Sequence, residues 1–180
     1  MPASELHIEY CATGALSAPG LREILTLCEA AYEEDLAGEL RNIGAGVHAL
    51  GRVSGVLVTH AMIVPRILQP GDGAHLHTAY VELVATESAH QRRGYATALL
   101  HALESQMQDF QLGALSPSDA EFYSRIGWEL WRGPLSVRTA AGREASPADE
   151  EVMIRRVPRT PSILDLDAPL SCEWRAGDVW

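Results

Sequence analysis

The stretch Gln91-Arg92-Arg93-Gly94-Tyr95-Ala96 decides the fold prediction, because it joins an apolar run, Thr78–Thr86, to a segment with helical spacing of apolar residues. The run is typical of a strand, and the helix is expected to begin near Gly94. A helix N-terminus carries unpaired N–H groups and a partial positive charge, which suit a pyrophosphate. Arg92 and Arg93 oppose the helix dipole unless an anion binds there. The stretch therefore predicts an anion site, the alternative being a helix that simply begins with basic surface residues.

The N-terminal part of the chain alternates between strand and helix patterns. Leu6–Tyr10 alternates apolar and polar residues, as a half-buried strand does. Ser17 is a suitable N-cap for the helix that follows, and a second, short helix is expected to end at Gly44. After that glycine, Val47–Leu50 and Val56–Val64 form a predicted β-hairpin.

The C-terminal part of the chain is predicted to hold one more helix and several short strands. Ser116-Pro117-Ser118-Asp119 is typical of a helix start, with Pro at the first helical position and an acid at the third, and the helix would end at Gly127. Residues 140–149 are expected to form a polar loop, and an irregular tail is expected to reach Trp180. Short strands are expected near residues 113–115, 129–131, 135–138 and 152–157. The order of elements predicts one mixed α/β (α+β) domain over residues 1–180.

The charge balance narrows the choice of binding partner. The chain has 14 basic residues, every one of them Arg, against 24 acidic ones, for a net charge of -10. Such a protein is a poor partner for nucleic acid or an anionic membrane, and a reasonable receptor for a small cation. The sequence starts without a signal-peptide pattern and lacks the roughly 18 consecutive apolar residues of a membrane span, so we expect a cytoplasmic location.

The histidines and cysteines do not predict a metal site. His75 and His77 flank Leu76 and would share one face of a strand, but no carboxylate or Cys stands at a suitable spacing. His48 and His60 lie in the predicted hairpin and are expected to be packed or hydrogen-bonded core residues. The three cysteines lack CxxC spacing and are expected to be reduced thiols.

The segment 91–96 resembles the acyl-CoA-binding signature Q/R-x-x-G-x-G/A of the GCN5-related N-acetyltransferases, the GNAT superfamily. Residues 120–128, Ala-Glu-Phe-Tyr-Ser-Arg-Ile-Gly-Trp, resemble the second signature of that family, in which the Tyr protonates the departing CoA thiolate. The resemblance implies a central mixed, mostly antiparallel sheet flanked by helices, with acetyl-CoA as cosubstrate and no metal. It assigns the role of general acid to Tyr123. It assigns cofactor binding to Gln91, Arg92, Arg93, Gly94, Tyr95 and Ala96.

A narrower resemblance, to aminoglycoside 2'-N-acetyltransferases, covers nearly the whole chain. It is carried by residues 80–82, Tyr-Val-Glu, by residues 111–116, Gln-Leu-Gly-Ala-Leu-Ser, and above all by residues 172–180, Cys-Glu-Trp-Arg-Ala-Gly-Asp-Val-Trp. The resemblance implies that carboxylates and the C-terminal segment hold the aminoglycoside, and that the terminal carboxylate of Trp180 could accept an amine. The implied substrate-binding residues are Asp35, Glu39, Glu82, Ser116, Asp178 and Trp180.

One segment departs from the pattern of that family. Residues 34–48 keep acids at Glu34, Asp35 and Glu39, but lack the aromatic residues and the His-Thr-Leu of the family segment, and Arg41 adds a positive charge. The segment therefore bears on which antibiotic is bound and not on acetyl transfer itself. A divergent member that acts on an unusual aminoglycoside, such as kasugamycin, would fit these changes.

Amide formation from a thioester requires a neutral amine, a polarised carbonyl and a protonated leaving group. Glu82, on the strand that runs toward the cofactor, is the candidate base, acting directly or through water, unless it is an outward-facing strand residue in a salt bridge. Backbone N–H groups near Leu83 and Val84 would bind the thioester carbonyl if the strand bulges there. Asp35, Glu39, Asp178 and Glu150 would hold the other ammonium groups of a polycationic substrate, although Glu39 and Glu150 could be solvated surface acids. The alternative for Tyr123 is a helix residue that packs in the core.

Three functions are compatible with these residues. The first is acetyl transfer to an aminoglycoside, a cationic small-molecule amine, which would confer resistance by direct transfer in a ternary complex. The second keeps the chemistry but takes a polyamine or another small amine, and the third is a non-catalytic acyl-CoA-binding module. Tyr123 argues against the third, since a binding module needs no acid. A homodimer is compatible with the resemblance.

Overall fold

Ser17 begins the first helix, as the sequence predicts. The structure, a computed structural model, describes residues 5–180. The Ser17 hydroxyl accepts a hydrogen bond from the backbone N–H of Gly20 at 3.1 Å, and helix α1 then runs over Ala18–Tyr32. The buried side chains of α1, Ile24, Leu27 and Cys28, follow the three- and four-residue spacing that places them on one face.

The described chain divides into two compact units. The first comprises residues 5–64 together with Val81–Gln106, and the second comprises Pro65–Tyr80 together with Met107–Trp180. Two strands pass through both units, β3 (Val56–Pro70) and β4 (Leu76–Thr86). Because the chain crosses between the units within these strands, the division is not one between consecutive domains, and the single domain over 1–180 stays a prediction.

The first unit contains three helices and two strands besides its parts of β3 and β4. Its other elements are β1 (Leu6–Ala12), α1, α2 (Ala37–Ile43), β2 (Val47–Val53) and α3 (Tyr95–Leu103). Strand β2 pairs antiparallel with both β1 and β3. Ser54 and Gly55 both have positive φ, 51° and 82°, as a two-residue hairpin turn requires. The predicted hairpin is present, although its first strand extends to Val53 and its second to Pro70.

The second unit contains one helix and six strands besides its parts of β3 and β4. These are β5 (Leu112–Leu115), α4 (Ala120–Arg125), β6 (Glu129–Leu130), β7 (Leu135–Thr139), β8 (Gly142–Ala145), β9 (Met153–Arg155) and β10 (Leu170–Glu173). The strand order is β6-β9-β5-β4-β3-β10-β7-β8. The β4–β5 and β7–β10 pairs are parallel and the other registered pairs are antiparallel. The prediction of a mixed, mostly antiparallel sheet is therefore confirmed.

Two segments expected to be irregular contain strands. The predicted loop over residues 140–149 contains β8, which pairs with β7 through Ser136 and Ala145. The tail contains β10, which pairs with β3 on one side and with β7 on the other. All four residues of β8 are exposed, so this strand carries no apolar alternation that a sequence pattern could register.

The predicted start of the fourth helix is wrong by three residues. The Asp119 carboxylate accepts the N–H of Phe122 at 3.0 Å, and α4 begins at Ala120. Ser116 does not cap the helix, because its hydroxyl donates to Glu150 Oε1 at 3.0 Å. Both side chains suit an N-cap, and the tertiary hydrogen bond of Ser116 decides between them. In residues 5–180, no helix has the length and apolar character needed to cross a membrane.

His48 and His60 form a hydrogen-bonded pair in the core of the first unit, as the sequence predicts. Both side chains are 0% exposed, and His48 Nδ1 lies 3.0 Å from His60 Nε2. Burial lowers the pKa of His48 to about 4, because desolvation penalises the charged ring. Burial also lowers the pKa of His60 to about 3, to which repulsion by His48 contributes. Both rings are therefore neutral near pH 7.

The histidine pair predicts acid sensitivity of the fold. An unfolded His titrates near pH 6.5, so unfolding takes up protons as pH falls below that value, whereas above it both states are neutral. The free energy of unfolding should therefore fall from about pH 6.5 downward, with a limiting slope of about 2.7 kcal/mol per pH unit for two protons. Denaturant unfolding between pH 7 and 5 measures the slope. The double variant His48→Gln, His60→Gln should lose it, whereas the exposed His7→Gln should keep it; equal slopes in all three would contradict the assignment.

Candidate active site

Strand β4 contains a left-handed residue in the middle of a strand. Leu83 has φ 51°, which is the mark of a local bulge in a strand. Side chains hold three successive carbonyls from here: His60 Nδ1 is 2.8 Å from Leu83 O, Tyr32 Oη donates to Val84 O at 3.2 Å, and Thr59 Oγ1 donates to Ala85 O at 3.0 Å. Leu83 and Val84 are the residues whose N–H groups are predicted to bind the thioester carbonyl. Glu82, next to them, is half-buried.

The loop between β4 and α3 has the backbone form of an anion site. Arg92 and Gly94 have positive φ, 58° and 80°, and residues 91–94 are exposed. Left-handed residues in such a turn are one component of the backbone nests in which N–H groups face a bound anion. Helix α3 begins at Tyr95, directly after Gly94, so its first N–H groups add to this set. The loop therefore fits a pyrophosphate, with the guanidinium groups of Arg92 and Arg93 as counter-charges.

Tyr123 lies in the core of the second unit with its ring between other aromatic rings. It is 4% exposed, and its ring centroid lies 5.0 Å from Phe122 and 6.1 Å from Trp128, both edge-on. Burial, assisted by the negative charge of Asp119, raises the pKa of Tyr123 to about 12. The phenol therefore stays protonated through the neutral range, which is the state that a proton donor needs.

The second unit contains a cavity of about 310 Å³ with an acidic wall. Three carboxylates, Glu144, Glu150 and Asp178, line it together with the aromatic side chains of Trp174 and Trp180. The pKa of Glu150 is raised, chiefly by burial and also by the charges of Asp178 and Asp149, while the hydrogen bond from Ser116 lowers it. The charge of Asp178 thus makes ionisation of Glu150 more costly, which a bound ammonium group would relieve. The remaining lining residues are Val137, Ala145, Ser146, Pro147, Gly177 and Val179.

The tail that forms this wall is fixed by a buried arginine. Arg66, on β3, is 4% exposed and donates to Glu173 Oε1 at 3.0 Å, to Glu173 O at 2.9 Å and to Val179 O at 2.8 Å. The Trp180 indole N–H donates to Ser146 Oγ at 2.7 Å. The wall is thus a hydrogen-bonded part of the second unit, and its two tryptophans have opposite exposure, Trp174 60% and Trp180 4%.

Two of the predicted substrate-binding residues line the acidic cavity of the second unit. Asp178 and Trp180 line the acidic cavity, and Ser116 reaches it through Glu150. Asp35 and Glu39 belong to the first unit, where the Asp35 carboxylate accepts the N–H of Ala37 at 3.0 Å at the start of α2. Asp35 therefore has a structural role at the start of α2, and its substrate-binding role stays a prediction.

Several residues of the candidate site were not predicted. Glu144 enters the cavity because β8 pairs with β7. Strand β8 follows β7 after a two-residue turn, but its exposed residues carry no apolar alternation, so no local pattern signals Glu144. Trp174, a large aromatic residue in a polar tail and therefore expected to line a pocket or an interface, does line the cavity. Tyr32 and His60, which hold the Val84 and Leu83 carbonyls, were also missed as candidate site residues. In residues 5–180, no group of three or more His, Cys, Asp or Glu side chains could hold a metal ion.

Comparison with solved structures defines the class of the protein. The GNAT family N-acetyltransferase YhbS of Escherichia coli, solved in complex with CoA, matches 97% of this chain and 92% of its own, with a TM-score of 0.66 and 16% identity. Eis1 of Mycobacterium abscessus matches 73% of this chain with a TM-score of 0.60 and 21% identity, and this chain spans 32% of its length. The fold is that of the GNAT acyltransferases.

Sequence comparison gives the family. The acetyltransferase (GNAT) domain family matches residues 22–131. A protein of Mycolicibacterium fortuitum named aminoglycoside 2'-N-acetyltransferase is 38% identical over 156 residues, which are 83% of this chain and 80% of that protein. The chain belongs to the GNAT family of acetyltransferases, and it is an acetyl-CoA-dependent N-acetyltransferase.

The left-handed glycine before α3, Gly94, offers a test of the loop over residues 91–96, which is called the CoA loop below. A Cβ added at Gly94 would meet no atom within 4 Å, so Gly94→Ala tests its φ of 80° and not its space. A left-handed alanine costs about 1–2 kcal/mol, and the loop can avoid that cost by turning its N–H groups away. We expect the Kd for CoA, measured by calorimetry, to rise about fivefold to thirtyfold.

The matched control for this prediction is Gly55→Ala, in the β2–β3 turn. Gly55 has φ 82° and equally open space, so the loss of stability should be similar. Its Kd for CoA should stay at the wild-type value. An unchanged Kd in Gly94→Ala would show that the backbone conformation of this loop does not matter for CoA.

Proposed function

We propose that this protein is an aminoglycoside 2'-N-acetyltransferase, which transfers an acetyl group from acetyl-CoA to an amino group of the antibiotic in a ternary complex and so confers resistance. The observation that carries the proposal is the acidic cavity of the second unit, with three carboxylates and two tryptophans in its wall. An aminoglycoside is a compact polycation, so such a wall suits it by charge and by size. The name of the 38% identical relative supports the same acceptor class.

The departure at residues 34–48 extends the proposal to an unusual acceptor. The segment has lost aromatic residues and gained Arg41 relative to the family pattern, and Arg41 is exposed. A cation at this position disfavours an acceptor with an ammonium group nearby. Kasugamycin therefore belongs among the acceptors to be tested. The expected homodimer and cytoplasmic location stay predictions.

Each catalytic requirement has a candidate group. Acetyl-CoA supplies the activated acyl group, and the loop over residues 91–96 would hold its phosphates. Glu82 would take a proton from the ammonium group, directly or through water, so that the amine nitrogen can form the new N–C bond. The N–H groups of Leu83 and Val84 would stabilise the charge that develops on the carbonyl oxygen. Tyr123 would give its proton to the sulfur as the C–S bond breaks.

The acceptor class is tested by acetyl-CoA turnover, read as free thiol, against a panel of amines. The panel pairs aminoglycosides that have a 2'-amino group with counterparts that have a 2'-hydroxyl, and adds kasugamycin and spermidine. We expect turnover with the 2'-amino compounds and none with their 2'-hydroxyl counterparts. Turnover with spermidine alone would replace the acceptor class, and no turnover with any amine despite CoA binding would overturn both enzyme functions.

Two carboxylate variants serve as a control for the cavity. Asp178→Asn removes a charge from the wall, and loss of one charge-assisted hydrogen bond should raise the KM for the amine about tenfold. Asp167→Asn removes an exposed acid that pairs with Arg132 outside the cavity, and should leave KM unchanged. Equal effects of the two variants would assign the KM change to overall charge and not to the wall.

Tyr123→Phe tests the general acid. Removal of one proton donor should lower kcat about 100-fold or more while the KM for both substrates stays within about twofold. Because the protonated phenol is the active form and its pKa is raised to about 12, wild-type kcat should show no loss through tyrosine ionisation up to pH 10. Steady-state kinetics from pH 6 to 10 measure both effects. Full activity in Tyr123→Phe would leave the residue a packing role only.

A further inference from the structure

We propose that His60 is a positioning residue that aims the Val84 N–H at the thioester carbonyl, and that His48 fixes the hydrogen-bonding direction of His60. The inference rests on the proposed function, in which the β4 backbone binds that carbonyl. It concerns two buried side chains that touch neither substrate. It starts from the hydrogen bond between His60 Nδ1 and Leu83 O, at 2.8 Å.

A single peptide plane joins His60 to the predicted catalytic N–H. Leu83 C=O and Val84 N–H belong to the same peptide group, and the described chain contains no cis peptide bond. In a trans peptide the C=O and N–H point in opposite directions. Since His60 holds the carbonyl of Leu83, the N–H of Val84 must point away from His60. The ring therefore sets the direction of the N–H without contacting it.

The hydrogen bonds along the pair have one possible direction. Leu83 O can only accept, so His60 Nδ1 must carry the proton. Because His60 is neutral, its Nε2 is bare and accepts from His48 Nδ1 at 3.0 Å. His48 is neutral as well, so its Nε2 is bare and lies 3.0 Å from Thr13 Oγ1, whose single hydroxyl hydrogen also has Gly46 O as an acceptor at 3.1 Å. The donors thus run from His48 to Leu83, and the acceptor Leu83 O fixes both tautomers.

Both ends of this chain are anchored. Thr13 Oγ1 accepts the N–H of Gly46 at 2.9 Å, just before β2. At the other end, the Cys28 thiol lies 3.6 Å from His60 Nδ1 and 3.9 Å from Leu83 O, so helix α1 covers the same carbonyl. Burial raises the pKa of Cys28 to about 12, so the thiol stays neutral and adds no charge beside the ring.

The bulge requires such support because it is strained. A non-glycine residue at φ 51° costs on the order of 1–3 kcal/mol and persists only where its surroundings hold it. The hydrogen bond from His60 offsets part of that cost at the Leu83–Val84 peptide group. Thr59 holds the carbonyl of Ala85 in the same manner, two residues further along, and so provides a matched control.

Two substitutions of His60 separate its two hydrogen bonds. The amide of Asn reaches the position of Nδ1, so His60→Asn keeps a donor for Leu83 O and loses the bond to His48. The amide of Gln reaches the position of Nε2, so His60→Gln keeps the bond to His48 and loses the donor to Leu83 O. Thr59→Val removes a side-chain bond to a β4 carbonyl without touching the Leu83–Val84 peptide.

The proposal predicts a specific order of activities. In His60→Gln, kcat should fall about tenfold to a hundredfold, while the KM for the amine stays within about twofold, because only an interaction of the transition state is misaligned. His60→Asn and Thr59→Val should keep kcat within about threefold of wild type. Thermal unfolding measures the loss of stability in all three, so that activity is compared among variants of similar Tm. Equal kcat losses in His60→Asn and His60→Gln would overturn the proposal.

Ligand affinity separates this inference from the acceptor class. Calorimetry with CoA and with acetyl-CoA isolates the contribution of the acetyl carbonyl without any amine. His60→Gln should lower the preference for acetyl-CoA over CoA several-fold, and Thr59→Val should leave it unchanged. This outcome can hold even if every aminoglycoside fails as an acceptor, in which case only the proposed acceptor is wrong. An unaltered preference in His60→Gln would overturn the positioning role.

A measurement on the wild-type protein keeps the inference testable if the variants do not fold. Long-range proton–nitrogen NMR spectra distinguish the two neutral tautomers of histidine. Both His48 and His60 should be protonated at Nδ1 at pH 7, and the His60 Nδ1–H resonance should shift on addition of acetyl-CoA more than on addition of CoA. A His60 ring protonated at Nε2 would overturn the proposal, because Leu83 O would then have no donor on that ring.

Discussion

The direction of one peptide group, Leu83–Val84, is the constraint on which the candidate site depends. A bulge releases backbone N–H and C=O groups from the hydrogen bonds between strands, but it does not by itself determine where these groups point. Here side chains hold the carbonyls of Leu83, Val84 and Ala85, from helix α1 and strand β3. Since the Leu83 carbonyl is opposed by the N–H of Val84 in the same peptide group, the core of the first unit orients one of the two N–H groups that are proposed to bind the thioester carbonyl.

The net charge of -10 becomes informative only when the charged residues that produce it are located in the structure. Three acids line one cavity of the second unit, where a carboxylate with a raised pKa gains most from a cationic partner. The two exposed arginines that begin the CoA loop belong to the first unit. The proposed sites for a polycationic acceptor and a polyanionic cofactor thus each carry the opposite sign of charge. The total charge made nucleic acid an unexpected partner, but it could not indicate where either site lies.

The sequence predicted the elements that local chemistry specifies. Ser17 caps α1, α2 ends at Gly44 with φ 90°, and α3 begins directly after Gly94. It did not predict β8, which is exposed along its whole length and exists only through pairing with β7. Nor did it predict β10, which is held between two strands that come much earlier in the chain. The N-cap of α4 depends on a distant partner, because Ser116 is bonded to Glu150. The local pattern therefore predicted Ser116 as the cap, whereas the cap is Asp119.

The same reasoning explains why the site was predicted in part. Side-chain chemistry and the family resemblance point to Glu82 and Tyr123, and they leave Tyr32 and His60 as ordinary residues of a helix and a strand. Their contribution is to hold carbonyls, and it becomes visible only when the bulge and its three acceptors are located together. A buried neutral histidine suits that task better than a charged one, because a proton on both nitrogens would remove the acceptor that fixes its direction. The desolvation that lowers the pKa of His60 is therefore part of what keeps the β4 backbone aligned.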